Sequence, residues 1–466
     1  MSNAFDLAVR GGLVVTPTGR APLDIYVRDG KVAALAAASQ YHRAASDIDA
    51  QGLLVVPGMV DTHVHLMEPG DDTREDFPSG TAAAASSGVT TIVEHTHGWP
   101  VISAARLMEK REALRGRSYV DFGLAAHVWP DRLAELPALW QAGITFFKIF
   151  TCETHGVPAI RADLMPDVLG AIADLDAACL VHCEDDLMTA RAERLLREAG
   201  RADPGVLPEW RSREAELVAT GTVALLTRLT GARTTIAHVS SAEALAVLAA
   251  EQQLGSPAVA ETCPQYLFLR EDEVLDHAGF RKFTPPARIR SQAEADAMWA
   301  AFNSGAVNHL STDHAPSTAE QKRQGDIWTV HFGLPGLDST FPLFLDAALT
   351  GRTTLERVVE AYARAPAQRY RLAGKGRLAP GADADLVLID PMTQRALADA
   401  DVRSKAGWTP YAGRTVRGQV ITTMVRGSVV VHDGELVNDR IGRFLPGPGT
   451  SSGRVVPRAA AGAPLR

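Results

Sequence analysis

Gly58-Met59-Val60-Asp61-Thr62-His63-Val64-His65 is a run of strand-forming residues that ends in two histidines one position apart. In an extended strand, residues i and i+2 point to the same face, so the imidazoles of His63 and His65 stand side by side, as a metal chelate requires. An isolated His-x-His is equally well an ordinary polar strand end. The remainder of the chain decides between the two readings.

Before this stretch, residues 5–56 carry short apolar runs (Leu7-Ala-Val, Leu13-Val-Val, Ile25-Tyr-Val, Val32-Ala-Ala-Leu) broken by Gly11-Gly12, Pro17 and Asp29-Gly30, the pattern of antiparallel strands and hairpins. From residue 54 the text changes to strand, loop, helix, repeated. Eight strands are expected at 54–65, 90–94, 120–127, 144–150, 179–184, 234–239, 258–262 and 307–313, with helices over 101–115, 131–141, 162–177, 212–229, 241–253, 291–303 and a last region near 341–371. Eight such units make the chain α/β, a (β/α)8 TIM-type barrel. Strand-like runs return at Gly376-Arg-Leu, Asp385-Leu-Val-Leu-Ile, Val420 to Val425 and Ser428 to His432, with Asp433-Gly434 as a hairpin signal. The expected organisation is therefore a small β-sandwich built from both chain ends (1–56 and 376–445), a barrel between them (57–375), and a mobile tail (446–466) rich in Gly, Pro, Ala, Ser and Arg.

A chain of 466 residues, 46% apolar and 22% charged, supports one large domain and a smaller one. The net charge of −8 and the lack of a Lys/Arg block argue against nucleic acid as a partner. The N-terminus lacks the pattern of a signal peptide and no apolar run reaches membrane-spanning length, so the expected setting is the cytoplasm with no membrane partner. The four cysteines, Cys152, Cys179, Cys183 and Cys263, lack the spacing of a disulfide framework and are expected as thiols.

Barrels of this kind carry their chemistry at the C-terminal ends of the strands. Those ends hold His63 and His65 on the first strand, Lys148 on the fourth, His182 on the fifth, His238 on the sixth and Asp313 on the eighth. A lysine among metal ligands is anomalous, because an ammonium is no ligand and burial lowers its pKa. Taken alone in an apolar strand, it reads first as a snorkelling or salt-bridged residue.

Together these residues resemble the amidohydrolase superfamily, in its cyclic-amide branch of allantoinases, hydantoinases, dihydropyrimidinases and dihydroorotases. The matching text is Asp61-Thr-His-Val-His-Leu-Met-Glu-Pro-Gly70, Gly88-Val-Thr-Thr-Ile92, Phe147-Lys148, Val181-His-Cys-Glu184, Ala237-His-Val-Ser-Ser-Ala-Glu243, Glu261-Thr-Cys-Pro-Gln-Tyr266, Ser311-Thr-Asp-His-Ala-Pro316, Gly376 to Leu386 and Thr409-Pro-Tyr-Ala-Gly-Arg414. The resemblance implies two divalent ions, zinc in the usual case, with His63, His65 and Asp313 on one and His182 and His238 on the other. It also implies that Lys148, carboxylated by CO2, bridges them as a carbamate, and that a homo-oligomer, dimer or tetramer, forms. Asp313 would be the catalytic residue, taking a proton from water and passing it to the leaving ring nitrogen of a cyclic amide.

Departures from the family pattern bear on the substrate. Met67 stands where dihydroorotases place an arginine for the substrate carboxylate. Glu153 stands where dihydropyrimidinases and D-hydantoinases place a tyrosine, Phe332 precedes Gly-Leu-Pro-Gly336 in place of an asparagine, and Thr284 replaces a serine or asparagine. With His97, these four make the expected substrate-binding set. Allantoinase- or hydantoinase-like ring opening is the leading reading, with a cyclic imide hydrolase or dihydropyrimidinase as alternatives. A dihydroorotase, or a non-catalytic scaffold of the dihydropyrimidinase-like kind, comes behind them.

Overall fold

The computed structural model describes residues 5–16, 19–37, 40 and 42–451. Among them eight parallel strands run in order around a barrel: Met59–Val64, Val89–Glu94, Asp121–Leu124 continued by Ala126–His127, Phe147–Phe150, Ala178–His182, Arg233–Ile236, Val259–Thr262 and Val307–Leu310. They form two hydrogen-bonded arcs, strands one to three and three to eight. The arcs meet at Ala125, whose N–H donates to Glu94 while that of Ala126 donates to Phe146. The ring closes where the His65 N–H donates to the His314 carbonyl at 2.8 Å, beside a parallel bridge from Val64 to His314.

Strand parity decides what faces the interior. In the fourth strand Phe147 and Ile149 join the outer core under the helices, while Phe146 joins the inner cluster with Val60, Val93, Leu180 and Tyr370. Two residues after Phe146, Lys148 must therefore point into the barrel. By the same rule Leu180 and His182 face inward while Cys179 and Val181 face the helices. The first strand obeys the rule only after a correction. Val60 faces in and Met59 out, yet Val64 faces out, because the register slips between Asp61 and Val64. That irregularity turns His63, rather than Thr62, toward the axis.

Helices return the chain between strands. Arg213–Thr230, Ala242–Gln253 and Gln292–Ser304 start at Ser212, Ser241 and Ser291, whose hydroxyls accept from the N–H groups of Ala215, Ala244 and Glu294. Serine serves there because it satisfies an N–H that the first turn leaves unpaired.

The strands outside the barrel form one nine-stranded sheet. Phe5–Thr16, Gly19–Arg28, Lys31–Ala37, Ala44–Asp49 and Leu54–Pro57 come from the front of the chain, and Leu386–Ala396, Thr415–Val425, Ser428–His432 and Glu435–Leu436 from the back. The halves join where Leu386–Ile389 pairs antiparallel with 54–57. Leu7, Val9, Ile25, Val27 and Val55 share a core with Leu386, Leu388 and Met424. The molecule is thus a TIM-type barrel beside a β-sandwich to which both ends contribute.

Two sequence expectations need correction. Gly376-Arg377-Leu378 forms no strand; Gly376, at φ 72°, lies against the Ala363 carbonyl, and a Cβ there would meet it at 2.2 Å. Most of the expected mobile tail, 452–466, lies outside the described residues, but its first part is packed. Gly447 donates to the Gly143 carbonyl at 2.8 Å, and Pro448–Ser451 forms a turn against the helix Leu136–Ala142. Gly447 and Gly449 leave no room for a Cβ against Ile144 and Trp140, which is why glycine stands there. Among the described residues no helix is long and apolar enough to cross a membrane.

Candidate active site

The strand ends bring together all six residues read as ligands. His63 Nε2 and His65 Nε2 lie 3.1 and 3.3 Å from Asp313 Oδ1, and Lys148 Nζ lies 3.1 Å from His63 Nε2. Across the barrel mouth, His182 Nδ1 and His238 Nε2 are 2.9 Å apart, and the His63 and His238 rings are 5.4 Å apart. His238 and Asp313 lie beyond the last residues of their strands, at φ 37° and 50°. A left-handed residue costs on the order of 1 kcal/mol when it is not glycine, so the chain bends here to aim two side chains inward.

Tautomers follow from the outer contacts. His65 Nδ1 faces only the carbonyl of His95, at 2.7 Å, so it carries the proton and leaves Nε2 as a lone pair. His63 Nδ1 meets Glu261 Oε1 at 2.6 Å, and His182 Nε2 meets Glu184 Oε2 at 2.8 Å. The centre-facing nitrogens of His63, His65 and His182 are therefore acceptors, yet those of His63 and His65 face another acceptor, Asp313 Oδ1. Lone pairs pointed at one another without a proton between them call for a cation, and the donor set of imidazole and carboxylate suits a borderline divalent ion. Burial holds His63, His182 and His238 below the usual imidazole range, which keeps their lone pairs free.

Burial also pulls the Lys148 ammonium down to about 8, against the opposing pull of Asp313 and Glu261. Asp313 behaves oppositely: burial raises its pKa, but His63, His65 and Lys148 outweigh that and hold it at about 2. Asp61 pins the first strand to the rest. Its carboxylate accepts from the N–H groups of His63 and Thr312 at 3.2 Å and from the Tyr362 hydroxyl at 2.7 Å, although burial still lifts its pKa to about 6.

The whole chain has counterparts among known proteins. The model of the Amidohydrolase family matches residues 54–430. The chain belongs to the amidohydrolase family. An allantoinase of Rubrobacter xylanophilus is 34% identical over 450 residues, covering 95% of this chain and 98% of that protein, and one of Solibacter usitatus is 33% identical over 446 residues, covering 94% and 96%. Among solved structures, the L-hydantoinase (dihydropyrimidinase) of Arthrobacter aurescens superimposes with a TM-score of 0.91 at 30% identity, over 95% of this chain and all of that one. These likenesses place the chain in the cyclic amidohydrolase branch.

Around this amidohydrolase centre the expected substrate residues fall unevenly. Met67, 3% exposed and at φ 59°, has its sulfur 3.8 Å from the Thr96 hydroxyl. The His97 ring is 4.2 Å from His65 and stacks on His155 at 4.5 Å, and His155 meets Phe332 edge-on at 5.7 Å. Thr284 is one bond removed: its hydroxyl donates to Glu184 Oε2 at 2.6 Å, the oxygen that holds His182. Glu153 does not join them. Its side chain is exposed and only its backbone N–H is engaged, by Asp186 Oδ1 at 3.1 Å, because the buried position of that loop is Thr154.

Two groups were missed in the sequence. Glu261 lies one residue before the end of the seventh strand, with Oε1 on His63 Nδ1 and on the His238 N–H, and Oε2 3.3 Å from His309. Burial raises its pKa, but His63 and His309 outweigh this and hold it well below the carboxylate range. An acid inside Ala258-Val-Ala-Glu-Thr262 was the available signal. Arg211 Nη1 lies 3.3 Å from Glu184 Oε2 and 3.2 Å from Cys152 Sγ, and no spacing in the text announced it. Arg288, also buried, donates from Nη2 to the carbonyls of Arg211 and Ser212 at 2.7 and 3.1 Å.

Proposed function

We propose that this chain opens the ring of a neutral cyclic amide of the allantoin or hydantoin kind. It is a hydrolase of the cyclic-amide branch, and the observation that carries the reading is the convergence of two lone-pair sets, His63/His65/Asp313 and His182/His238, around Lys148. In this reading the first set holds one divalent ion, zinc in the usual case, and the second holds another, with Lys148 between them as a carbamate. Bound there, the ions supply water of lowered pKa and polarise the scissile carbonyl. A lysine near pKa 8 supports the bridge, since only the neutral amine reacts with CO2.

The chain's own residues do the rest. Asp313 is ionised, aimed into the centre and free to take a proton from the attacking water, then deliver it to the ring nitrogen as the C–N bond breaks. Glu261 and Glu184 fix the rings of His63 and His182, and Arg211 and Thr284 fix Glu184 in turn. Met67, His97 and Phe332 are the substrate-facing residues of this reading, and Glu153 is withdrawn from it. The Phe332, Trp210 and Trp328 cluster beside His155 favours an apolar ring substituent and keeps imides in view. The expected dimer or tetramer belongs to the same proposal and is checked by light scattering.

A substrate panel tests it. Met67 offers no cation where a substrate carboxylate would need one, Arg211 is paired with Glu184, and Arg288 has Nη2 on two backbone carbonyls and Nε 3.7 Å from Glu216. Allantoin, hydantoin, 5-substituted hydantoins, dihydrouracil and succinimide should be cleaved ahead of dihydroorotate by at least about a hundredfold in kcat/KM, the worth of a lost bidentate pair. Dihydroorotate as the best substrate would overturn the reading of Met67.

A further inference from the structure

Beside the two lone-pair sets just described stand three imidazoles that belong to neither, one of them His97, which also lies on the substrate side of that reading. The His-x-His of the first barrel strand is repeated at the end of the second as His95-Thr96-His97, and the His95 N–H donates to the Val64 carbonyl at 3.0 Å, so the two pairs sit on adjacent strands. His127 ends the third strand. Ring centroids of His95 and His97 lie 6.1 and 5.6 Å from that of His127, and one ligand nitrogen from each of the three falls within 4.8 Å of the others.

The ring nitrogens are short of partners. His95 and His127 are each 1% exposed, and both nitrogens of each, together with Nε2 of His97, are buried with no hydrogen-bond partner among the described residues. Buried polar atoms are nearly always paired, and one neutral imidazole presents a donor and a lone pair that both need an answer. Five unanswered nitrogens in one place is a deficit that hydrogen bonds within the cluster do not remove. A cation accepting one lone pair from each ring would remove three of the five at once.

We propose that His95, His97 and His127 form a third divalent-metal site, next to the pair implied by the family and distinct from it. Three imidazoles with no carboxylate select a borderline ion of the zinc or cobalt class over calcium or magnesium, and leave a fourth position open. His95 also lies close to His63 and His65, but the lone pairs of those two already converge on Asp313, and their Nδ1 atoms are committed to Glu261 and the His95 carbonyl. The free nitrogens of His95 are thus left for His97 and His127.

Metal counting decides the matter. Apoprotein equilibrated with excess Zn2+ and desalted should carry about three ions per chain, while His127→Asn and His97→Asn should each carry one fewer; the same difference should appear as a lost tetrahedral absorption band after loading with Co2+. Far-UV circular dichroism establishes that a variant is folded, and either variant suffices if the other is not. Equal metal content in wild type and folded variants overturns the site, whatever the count. Lys148→Ala separates this result from the reading of the main centre: if it keeps its full complement while His127→Asn loses one ion, the third site stands and the bridging lysine falls.

Discussion

Lys148 shows how much one position is asked to do. It sits between Phe146, which packs into the barrel floor, and Phe150, whose ring centroid is 5.1 Å from Nζ, so the buried amine has one direction in which to point. Removing it should leave the fold intact, since alanine at an inward position costs little next to such a polar centre, but take away the link that the proposed reading places between the two sets. Lys148→Ala is expected to lose activity by at least about a thousandfold, roughly 4 kcal/mol of transition-state stabilisation, along with most of its bound metal. Acetate or propionate should restore part of both by placing a carboxylate in the vacated space. Full activity in Lys148→Ala, measured with the metal content of the same sample, refutes the bridge.

Between elements, the decisive contacts are buried charges. Lys375, on the segment that leaves the last barrel helix, reaches Asp121 on the third strand at 2.6 Å, Asp385 before the first C-terminal sandwich strand at 2.8 Å and Asp383 at 3.0 Å. The lysine is fully buried, and although burial lowers its pKa, the three carboxylates outweigh this and raise it above the ordinary value. A raised lysine stabilises the fold fully below its unfolded pKa of about 10.4, and that stability is lost as pH climbs through the folded value. Lys375→Met should cost about 3 to 5 kcal/mol at neutral pH by leaving buried carboxylates without their cation. Burial already raises Asp385 and the lysine opposes it, so with the lysine gone Asp385 would titrate higher still, and the deficit should grow as pH rises through the carboxylate range and shrink toward pH 5. Thermal melts of both proteins at pH 5 and pH 8 check this; a pH-independent gap would contradict it.

For the molecule as a whole, the joint between the chain's two ends is what the barrel leans on. Residues 54–57 pair with Leu13 and Val14 on one side and with 386–389 on the other, so the first strands and the last share one sheet and one core. Deleting residues 1–50 would bare Val55, Leu386, Leu388 and Met424, all at most 1% exposed. Such a chain should be recovered insoluble. A soluble, active protein lacking the first fifty residues would show that the barrel stands without the sandwich.

The sequence alone determined what depends on local geometry: two histidines on one face of a strand, a lysine in an apolar strand, eight strand-helix repeats, and sandwich-forming runs at both ends. These are readable because side-chain direction follows from spacing of two or three residues, whatever the rest of the chain does. Only the tertiary structure decided the rest. The slipped register that aims His63, the bends that aim His238 and Asp313, the Glu261 and Arg211 that hold the imidazoles, the outward turn of Glu153 and the meeting of His127 with His95 and His97 all depend on which strands adjoin. Closing a barrel sets that adjacency between residues far apart in the chain, and no short-range pattern carries it.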